Sequence, residues 1–203
     1  MGRPHRVEVP QGFYHVHTRG NNRQDIYFGN WSGRLFVREL ERASRRHGWR
    51  VLAYCLMPNH YHLIFQIDER LGKGMEELNG RFARISNRIT GRINHLFGER
   101  YTSHLIEEEE YLLTVIRYVL RNPVRSGFVK RAEDWRWSSM RATLGLAHPP
   151  TCLDTAFVLG VLGSRPHLAR TRFRDWINAD AAASPALLST DRTPRAAVAS
   201  QSP

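Results

Sequence analysis

Residues 57–67, MPNHYHLIFQI, constrain the fold more than any other part of the chain. A Pro-Asn pair near the start is typical of a turn, and the alternating polarity after it predicts a β-strand. Because successive side chains of a strand point to opposite faces, one face of this strand is apolar. That face carries Tyr61, Leu63, Phe65 and Ile67. It must pack on a hydrophobic core, which leaves His60 and His62 side by side on the opposite face.

His60 and His62 are candidate metal ligands. Two residues along a strand span about 6–7 Å, so two neutral imidazoles can converge on one divalent ion. The alternative is a pair of half-buried strand histidines that make ordinary hydrogen bonds. A second pair, His15 and His17, has the same spacing earlier in the chain. Spacing alone does not choose between the two pairs.

The remaining periodic segments predict an α+β fold. The expected elements are strands at residues 12–18, 49–56, 57–67 and 99–106 and helices at 32–47, 76–96 and from the acidic run at 107–110 to about 121. Their order is the βαββαβ pattern of ferredoxin-like and RRM-like antiparallel sheets, in which the first and third strands lie side by side. The short turn before the histidine strand predicts an antiparallel hairpin, and Ser32 is a plausible N-cap of the first helix.

Basic residues exceed acidic residues by 30 to 19, which gives a formal net charge of +11. All but Lys73 and Lys130 are arginine, whose planar fork suits phosphate oxygens. The excess favours a polyanionic partner, although the codon usage of a GC-rich genome would also produce it. Four arginines cluster on one arc of the second predicted helix: Arg81, Arg84, Arg88 and Arg92. They are candidates for contact with a nucleic-acid backbone, and the alternative is a solvated basic face.

Tyr118 and Asn122 lie four residues apart near the end of a predicted helix and therefore share a face. Since Tyr118 stands beside the apolar stripe of that helix, its phenol could reach over the histidine face of the sheet. On the helix alone, Tyr118 would be an ordinary aromatic residue and Asn122 a C-terminal cap. Tyr111, seven residues earlier on the same face, is the main competitor as a reactive tyrosine.

Two motifs together resemble those of HUH-type single-tyrosine transposases, in particular the branch of REP-associated tyrosine transposases. They are MPNHYH at residues 57–62 and YVLRNPVRSG at residues 118–127, with Ser126 where alanine is usual. Further similar stretches are HVHTRGNNR at 15–23, GERYTS at 98–103 and WSS at 137–139. The resemblance covers roughly residues 10–145 in one order, so it is more specific than either motif.

The resemblance implies the chemistry. Tyr118 would attack a phosphodiester of single-stranded DNA, form a 5′-phosphotyrosine link and release a 3′-hydroxyl. His60, His62 and Asn122 would hold a divalent ion, Mg²⁺ or Mn²⁺, that polarises the phosphate. The ion would have to do much of the work, because a tyrosine hydroxyl is a poor nucleophile at neutral pH. The implied fold is the ferredoxin-like sheet with the tyrosine-bearing helix added to it.

The resemblance also implies the substrate, a folded single strand with a hairpin of the repetitive extragenic kind. Arg19, Arg23 and Arg125 lie beside the motifs and are further candidates for phosphate contact. His15 and His17 are then structural residues or neighbours of the site. Members of the wider family act as dimers with exchanged tyrosine helices, whereas the REP-associated branch would act as monomers, so either state is open.

We expect residues 1–145 to form the HUH single-tyrosine transposase domain, residues 146–178 a helical extension packed on it, and residues 179–203 a disordered tail rich in Ala, Ser, Pro and Thr. No run approaches the roughly 18 apolar residues of a membrane span, and no apolar signal core begins the chain, which favours the cytoplasm. Two other functions are open. One is a regulatory DNA-binding module on the same fold, and the other is a His-x-His metallohydrolase, for which no bridging carboxylate is evident.

Overall fold

A computed structural model describes residues 9–68, 70–107 and 109–179. Its four strands are β1 (Gly12–Arg19), β2 (Arg50–Met57), β3 (His60–Ile67) and β4 (Thr102–Ile106). They form one sheet in the order β2-β3-β1-β4, and each neighbouring pair is antiparallel. The predicted α+β fold class is confirmed, with β1 and β3 at the centre of the sheet and β2 and β3 joined as a hairpin.

Two helices, α1 (Asn30–His47) and α2 (Leu71–Thr90), pack on one face of the sheet. The apolar side of β3 faces them, because Tyr61 and Phe65 are buried in one cluster with Phe36 of α1 and Phe82 of α2. The ring centroid of Phe36 lies 4.6 Å from that of Tyr61 and 5.2 Å from that of Phe82. Such aromatic pairs add about 0.5–1.5 kcal/mol to the burial of their area. The alternation in the sequence of β3 therefore selects the face that packs on this layer.

A second helical layer packs on the opposite face. It comprises α3 (Glu109–Leu120), α4 (Asn122–Arg125), α5 (Met140–Thr143), α6 (Thr155–Gly160) and α7 (Pro166–Asn178). Ile64 of β3, Ile116 of α3 and Phe173 of α7 are fully buried in one cluster. The sheet is thus the middle of three layers, so its histidine face is partly covered. Across the described residues, no helix has the length and apolarity needed to cross a membrane.

The predicted end of the second helix is wrong. The helix α2 begins at Leu71 and ends at Thr90, rather than running from 76 to 96. Gly91 adopts the left-handed conformation, with φ of 69°, and its N–H caps the last turn, so the helix ends there and not near residue 96. Ile93, which falls inside the predicted helix, is consequently 97% exposed.

Three smaller expectations also need correction. The helix α1 begins before Ser32, whose hydroxyl accepts a hydrogen bond from the Phe28 amide inside the first turn and is not the N-cap. β4 begins at Thr102 rather than at residue 99. After α3 the chain continues into α4, because Pro123 occupies the first turn, where its missing N–H costs nothing. The predicted tail lies outside the described residues from residue 180 onward.

The segment after α4 closes the outer edge of β2. The Leu56 amide donates to the Trp137 carbonyl at 2.8 Å, and the Ser139 amide donates to the Tyr54 carbonyl at 2.9 Å. The indole N–H of Trp135 donates to the Leu56 carbonyl at 2.9 Å. The tryptophan segment therefore folds back on the core, and it covers backbone groups that an edge strand would otherwise expose.

Candidate active site

The turn before β3 is held by the segment that follows β1. Pro58 and Asn59 form a two-residue turn immediately before His60. The Gly20 amide donates to the Asn59 carbonyl at 2.8 Å, and the Asn59 side-chain amide donates to the Arg23 carbonyl at 3.0 Å. Two stretches that are far apart in sequence therefore meet and fix the start of β3.

Five imidazoles lie on the sheet face that α3 packs against. This histidine cluster consists of His15 and His17 of β1, His60 and His62 of β3, and His104 of β4. In the strand registers His17 stands opposite His62, and His15 stands opposite His104. Ring centroids are 5.1 Å apart for His15 and His62 and 6.2 Å apart for His15 and His104. His104 was not among the residues predicted for the site, although its alternation with the buried Ile106 on β4 was a usable signal.

Hydrogen bonds orient the two predicted metal ligands. His60 Nδ1 lies 2.7 Å from Asn59 Oδ1, and His62 Nδ1 lies 2.9 Å from His15 Nε2. An imidazole that donates from Nδ1 keeps its lone pair on Nε2, and metal-binding histidines are commonly held in this way by a neighbouring acceptor. His60 and His62 therefore fit a divalent ion through their Nε2 atoms.

Asn122, the first residue of α4, supplies the third predicted ligand. Its side chain lies near enough to His60 for hydrogen bonding to offset part of the lowering of the His60 pKa, so the structure brings together all three residues expected to hold the ion. In the part of the chain that the structure describes, no three His, Cys, Asp or Glu side chains are grouped to hold a metal. The predicted donor set is two imidazoles and one amide, which would leave coordination positions for phosphate and water oxygens.

Burial favours the neutral form of four imidazoles in the histidine cluster, those of His15, His17, His60 and His62. It lowers the pKa of His62 to about 2, assisted by the neighbouring His15 and His60. It lowers the pKa of His15 to about 4, assisted by His17 and His104. Burial likewise lowers the pKa values of His60 and His17. Neutral imidazole is the form that binds a metal ion, so at neutral pH no proton has to leave first.

Tyr118 extends from α3 to the histidine cluster. Its ring lies edge-on to His15 and His62, with centroid distances of 6.1 and 5.9 Å, and the residue is 43% exposed. The guanidinium of Arg125 lies 4.8 Å from the centre of the Tyr118 ring. Tyr111 is also exposed but lies two turns, about 10 Å, earlier on the helix. Within the described residues, the ring contacts connect Tyr118 rather than Tyr111 to the cluster.

Comparison with known proteins shows to which family this chain belongs. The sequence pattern described as "Transposase IS200 like" matches residues 8–122, more than half of the chain. The chain belongs to the IS200-like transposase family. This family membership covers β1 to Asn122, and so it includes the turn before β3, the histidine cluster and Tyr118.

Two relatives of this IS200-like chain are REP-associated tyrosine transposases. The relative from Haemophilus influenzae is 28% identical to this chain over 103 residues, and the match covers 45% of this chain and 58% of that protein. The one from Escherichia coli K12 is 24% identical over 100 residues, which are 48% of this chain and 58% of that protein. The chain therefore spans little more than half the length of these relatives.

A solved structure extends the comparison to the fold. It is a REP-associated tyrosine transposase bound to a REP hairpin, and it matches with a TM-score of 0.60 and 19% sequence identity. The match covers 71% of this chain and 86% of the other. At this level of identity the similarity shows that the two proteins share the fold.

Arg19 and Arg125 are the arginines that this IS200-like chain places at the site. Arg19 pairs with His60 in the register of β1 and β3, and its charge contributes to the lowered pKa of His60 and of His62. Arg125 covers the ring of Tyr118. Arg23 lies in the turn whose carbonyl holds Asn59. Arg19 and Arg125 therefore adjoin the cluster, and phosphate contact by the three arginines stays a prediction.

The arginines predicted for the second helix lie elsewhere. Arg81 donates from Nε to Glu39 Oε2 at 2.7 Å, and Glu39 is only 3% exposed. The Arg81 guanidinium therefore forms an ion pair between α1 and α2. Arg92 lies beyond the end of α2 and bonds the side chain of Gln24. Arg84 and Arg88 are exposed on α2, on the other side of the sheet from Tyr118. The predicted stripe is not one continuous surface and does not adjoin the site.

The helix α3 is fastened to the end of α7. Arg117 Nε donates to the Trp176 carbonyl at 2.9 Å, and Arg121 Nη1 donates to the Ile177 carbonyl at 3.0 Å. Both guanidinium groups also bond the Ala179 carbonyl. Arginine donors satisfy the carbonyls that a helix leaves unpaired at its C-terminus. Because these arginines immediately precede Tyr118 and Asn122, the last described helix fixes the element that presents the candidate nucleophile.

Proposed function

We propose that this chain is a transposase that cuts and rejoins single-stranded DNA through a 5′-phosphotyrosine at Tyr118. The observation that carries the proposal is the position of Tyr118, edge-on to His62, on a helix whose continuation brings Asn122 to His60. Phosphoryl transfer depends on the positioning of the nucleophile and on the stabilisation of charge, and this arrangement offers both.

In the proposed step, the phenol oxygen of Tyr118 attacks phosphorus in line with the departing oxygen. A bond forms between phosphorus and the tyrosine oxygen while the bond from phosphorus to the 3′ oxygen breaks. The phenolic proton passes to solvent, and the departing oxygen takes up a proton to become a 3′-hydroxyl. Because the phosphotyrosine retains the energy of the ester, a second 3′-hydroxyl can reverse the step and join DNA without ATP.

His60, His62 and Asn122 would hold the divalent ion, for which we propose Mg²⁺ or Mn²⁺. When bound, such an ion polarises a phosphate and offsets its charge. The two imidazoles are neutral, and their hydrogen bonds to neighbouring side chains leave the Nε2 atoms as donors. Arg19 and Arg125 stand beside the cluster, where a guanidinium stabilises phosphate by charge-assisted hydrogen bonds.

The proposed substrate is a folded single strand, with a REP-like hairpin and unpaired nucleotides beside it. The net charge of +11 and the REP-hairpin complex of the similar structure support this class of substrate. Residues 1–145 would form the HUH transposase domain and residues 146–178 its helical extension. Tyr118 lies beside the imidazoles of its own chain, which supports action as a monomer, and a homodimer with exchanged helices is the alternative. The expected location is the cytoplasm, on DNA.

An adduct assay tests the proposal. Purified protein is incubated with Mn²⁺ and a 3′-labelled library of hairpins with randomised flanks, and labelled protein is detected after denaturing electrophoresis. We expect an adduct with the wild type and with Tyr111→Phe and none with Tyr118→Phe, which should still bind hairpins. An adduct in Tyr118→Phe would assign the nucleophile to another tyrosine. Hairpin binding by the wild type without an adduct would favour the alternative, a catalytically idle regulatory protein that binds hairpin DNA.

A further inference from the structure

The outer surface of α1 and α2 contains a groove that the proposed reaction does not use. This helical groove has a volume of about 390 Å³ and is lined by Trp31, Arg34, Leu35, Arg38, Ile85 and Ile89. Both helices pack on the sheet face opposite the histidine cluster. The groove is therefore separate from Tyr118, and it combines an aromatic ring, apolar side chains and arginines.

The aromatic end of the helical groove is preformed. The rings of Phe28 and Trp31 are stacked, with centroids 6.3 Å apart and an interplanar angle of 17°, and both residues are half-buried. The Phe28 amide donates to the Ser32 hydroxyl at 2.7 Å, which fixes the chain at the start of α1. The guanidinium of Arg92 lies 5.8 Å from the centre of the Phe28 ring. A flat ring pair flanked by a cation is thus presented next to the groove.

The charge of the helical groove is positive. Arg34 and Arg38 are exposed along its α1 side, and Arg88 is exposed on α2 directly before Ile89. Glu39 is buried beside them and already accepts from Arg81 at 2.7 Å, while Arg38 lies 3.6 Å from its other oxygen. One carboxylate therefore faces two guanidinium groups, which leaves a net positive charge there, and the Arg38 side chain is 68% exposed. Arg34 and Arg88 add two further exposed charges.

We infer that the helical groove binds an unpaired stretch of DNA, with bases against Phe28 and Trp31 and phosphates on Arg34, Arg38 and Arg88. Bases stack on aromatic side chains whatever their sequence, and arginines beside them neutralise the backbone. A double-stranded stem would offer phosphates but no free base faces, and an apolar protein partner would leave the arginines without acceptors. This inference rests on the proposed function, because the strand would be the unpaired DNA that adjoins the hairpin.

Fluorescence anisotropy with labelled dT20 tests the inference. Arg34→Gln combined with Arg38→Gln should weaken binding about tenfold and lower the slope of log K against log salt by about 1.4, since each phosphate contact on a single strand contributes about 0.7. Trp31→Leu should weaken binding about tenfold, whereas Trp31→Phe, which keeps a stacking face, should retain it within about threefold. The matched control replaces Arg165 and Arg170, exposed at α7, by glutamine and should bind dT20 like the wild type.

Two results would overturn the inference. One is an unchanged dT20 affinity in both groove variants. The other is self-association of the wild type in light scattering that Trp31→Leu abolishes, because it would assign the groove to a second copy of the chain. The adduct assay separates this inference from the proposed function: groove variants should still form the Tyr118 adduct on a minimal hairpin at saturating concentration. If the wild type formed no adduct but the groove variants still lost dT20 binding, the proposed reaction would be refuted. The inference about the groove would then stand.

Discussion

His15 Nε2 lies 2.9 Å from His62 Nδ1, so a residue of the first strand holds the ring of a proposed metal ligand on the third. The register places His17 directly opposite His62, and the bond from His15 therefore runs diagonally between the strands. His62 is only 6% exposed, so water is a poor substitute for this partner. The bond fixes the direction in which His62 presents Nε2.

The first prediction concerns His15 as a positioning residue. Partners of this kind typically change metal affinity about 10–100-fold, so His15→Ala should weaken Mn²⁺ binding by a factor in that range, measured by isothermal titration calorimetry. His15→Gln retains a hydrogen-bonding group and should recover part of the loss. His148→Ala, at an exposed histidine in the segment after α5, is the control. An unchanged Mn²⁺ affinity in His15→Ala would mean that packing alone orients His62.

The second prediction concerns Gly20, whose amide holds the turn at Asn59. A Cβ at Gly20 would overlap the Gln24 carbonyl oxygen and lie 2.8 Å from Ile26 Cγ2, so the turn segment would have to move. Gly20→Ala should cost about 1–3 kcal/mol of unfolding free energy, as overpacking typically does, and slow adduct formation. Gly80→Ala is the matched control in α2, where an added Cβ meets nothing within 4 Å. It should stabilise the protein by about 0.5–1 kcal/mol in urea denaturation.

The third prediction concerns Arg81, which belongs to the ion pair with buried Glu39. Arg81→Gln should lower the unfolding free energy by about 1–2 kcal/mol, because it removes a charged hydrogen bond from a buried carboxylate. It should leave the affinity for hairpin DNA unchanged. Arg84→Gln, one turn along the exposed side of α2, should change stability by less than about 0.5 kcal/mol. If Glu39→Gln did not rescue Arg81→Gln in the double variant, the loss would come from packing of the arginine stem.

The fourth prediction concerns the two thiols and pH. Burial raises the pKa of Cys152 from 9.0 to about 11, and it raises the pKa of Cys55 still further. A raised folded-state pKa contributes stability that is complete below the unfolded value near 9.0 and is lost as pH rises toward 11. The native protein should therefore resist a thiol reagent at pH 8, whereas the urea-unfolded protein should react at both cysteines. Rapid labelling of native Cys55, which is fully buried, would contradict the prediction, whereas Cys152 is only partly buried and its slow labelling would reflect its raised pKa.

The sequence was sufficient where local periodicity decides the outcome. The alternation of apolar and polar residues in β3 predicts which side chains pack on α1 and α2 and which lie on the opposite face with the histidines, because neighbouring residues of a strand point in opposite directions. The bond between His15 and His62 is different. It depends on the register of two strands that are not consecutive, and no spacing within either strand determines that register.

Tertiary packing explains the other differences. Helix periodicity gives the direction of Arg81 but not the presence of Glu39 on a neighbouring helix, so an ion pair was interpreted as part of a DNA-binding stripe. Apolar residues continue in the sequence beyond Gly91, at Ile93 and Leu96, and the predicted helix was therefore extended to residue 96. The left-handed conformation at Gly91 ends the helix first, and the later isoleucine lies in solvent.

The attachment of α3 to α7 has a consequence for truncated gene copies. A copy interrupted before Pro166 would still encode both histidines, the tyrosine and the asparagine of the two motifs. It would lack the carbonyls of residues 176, 177 and 179 to which Arg117 and Arg121 bind, and the buried Phe173. Genome surveys that score the motifs alone would count such a pseudogene as intact, although its product lacks the contacts with α7 that help to hold the tyrosine helix.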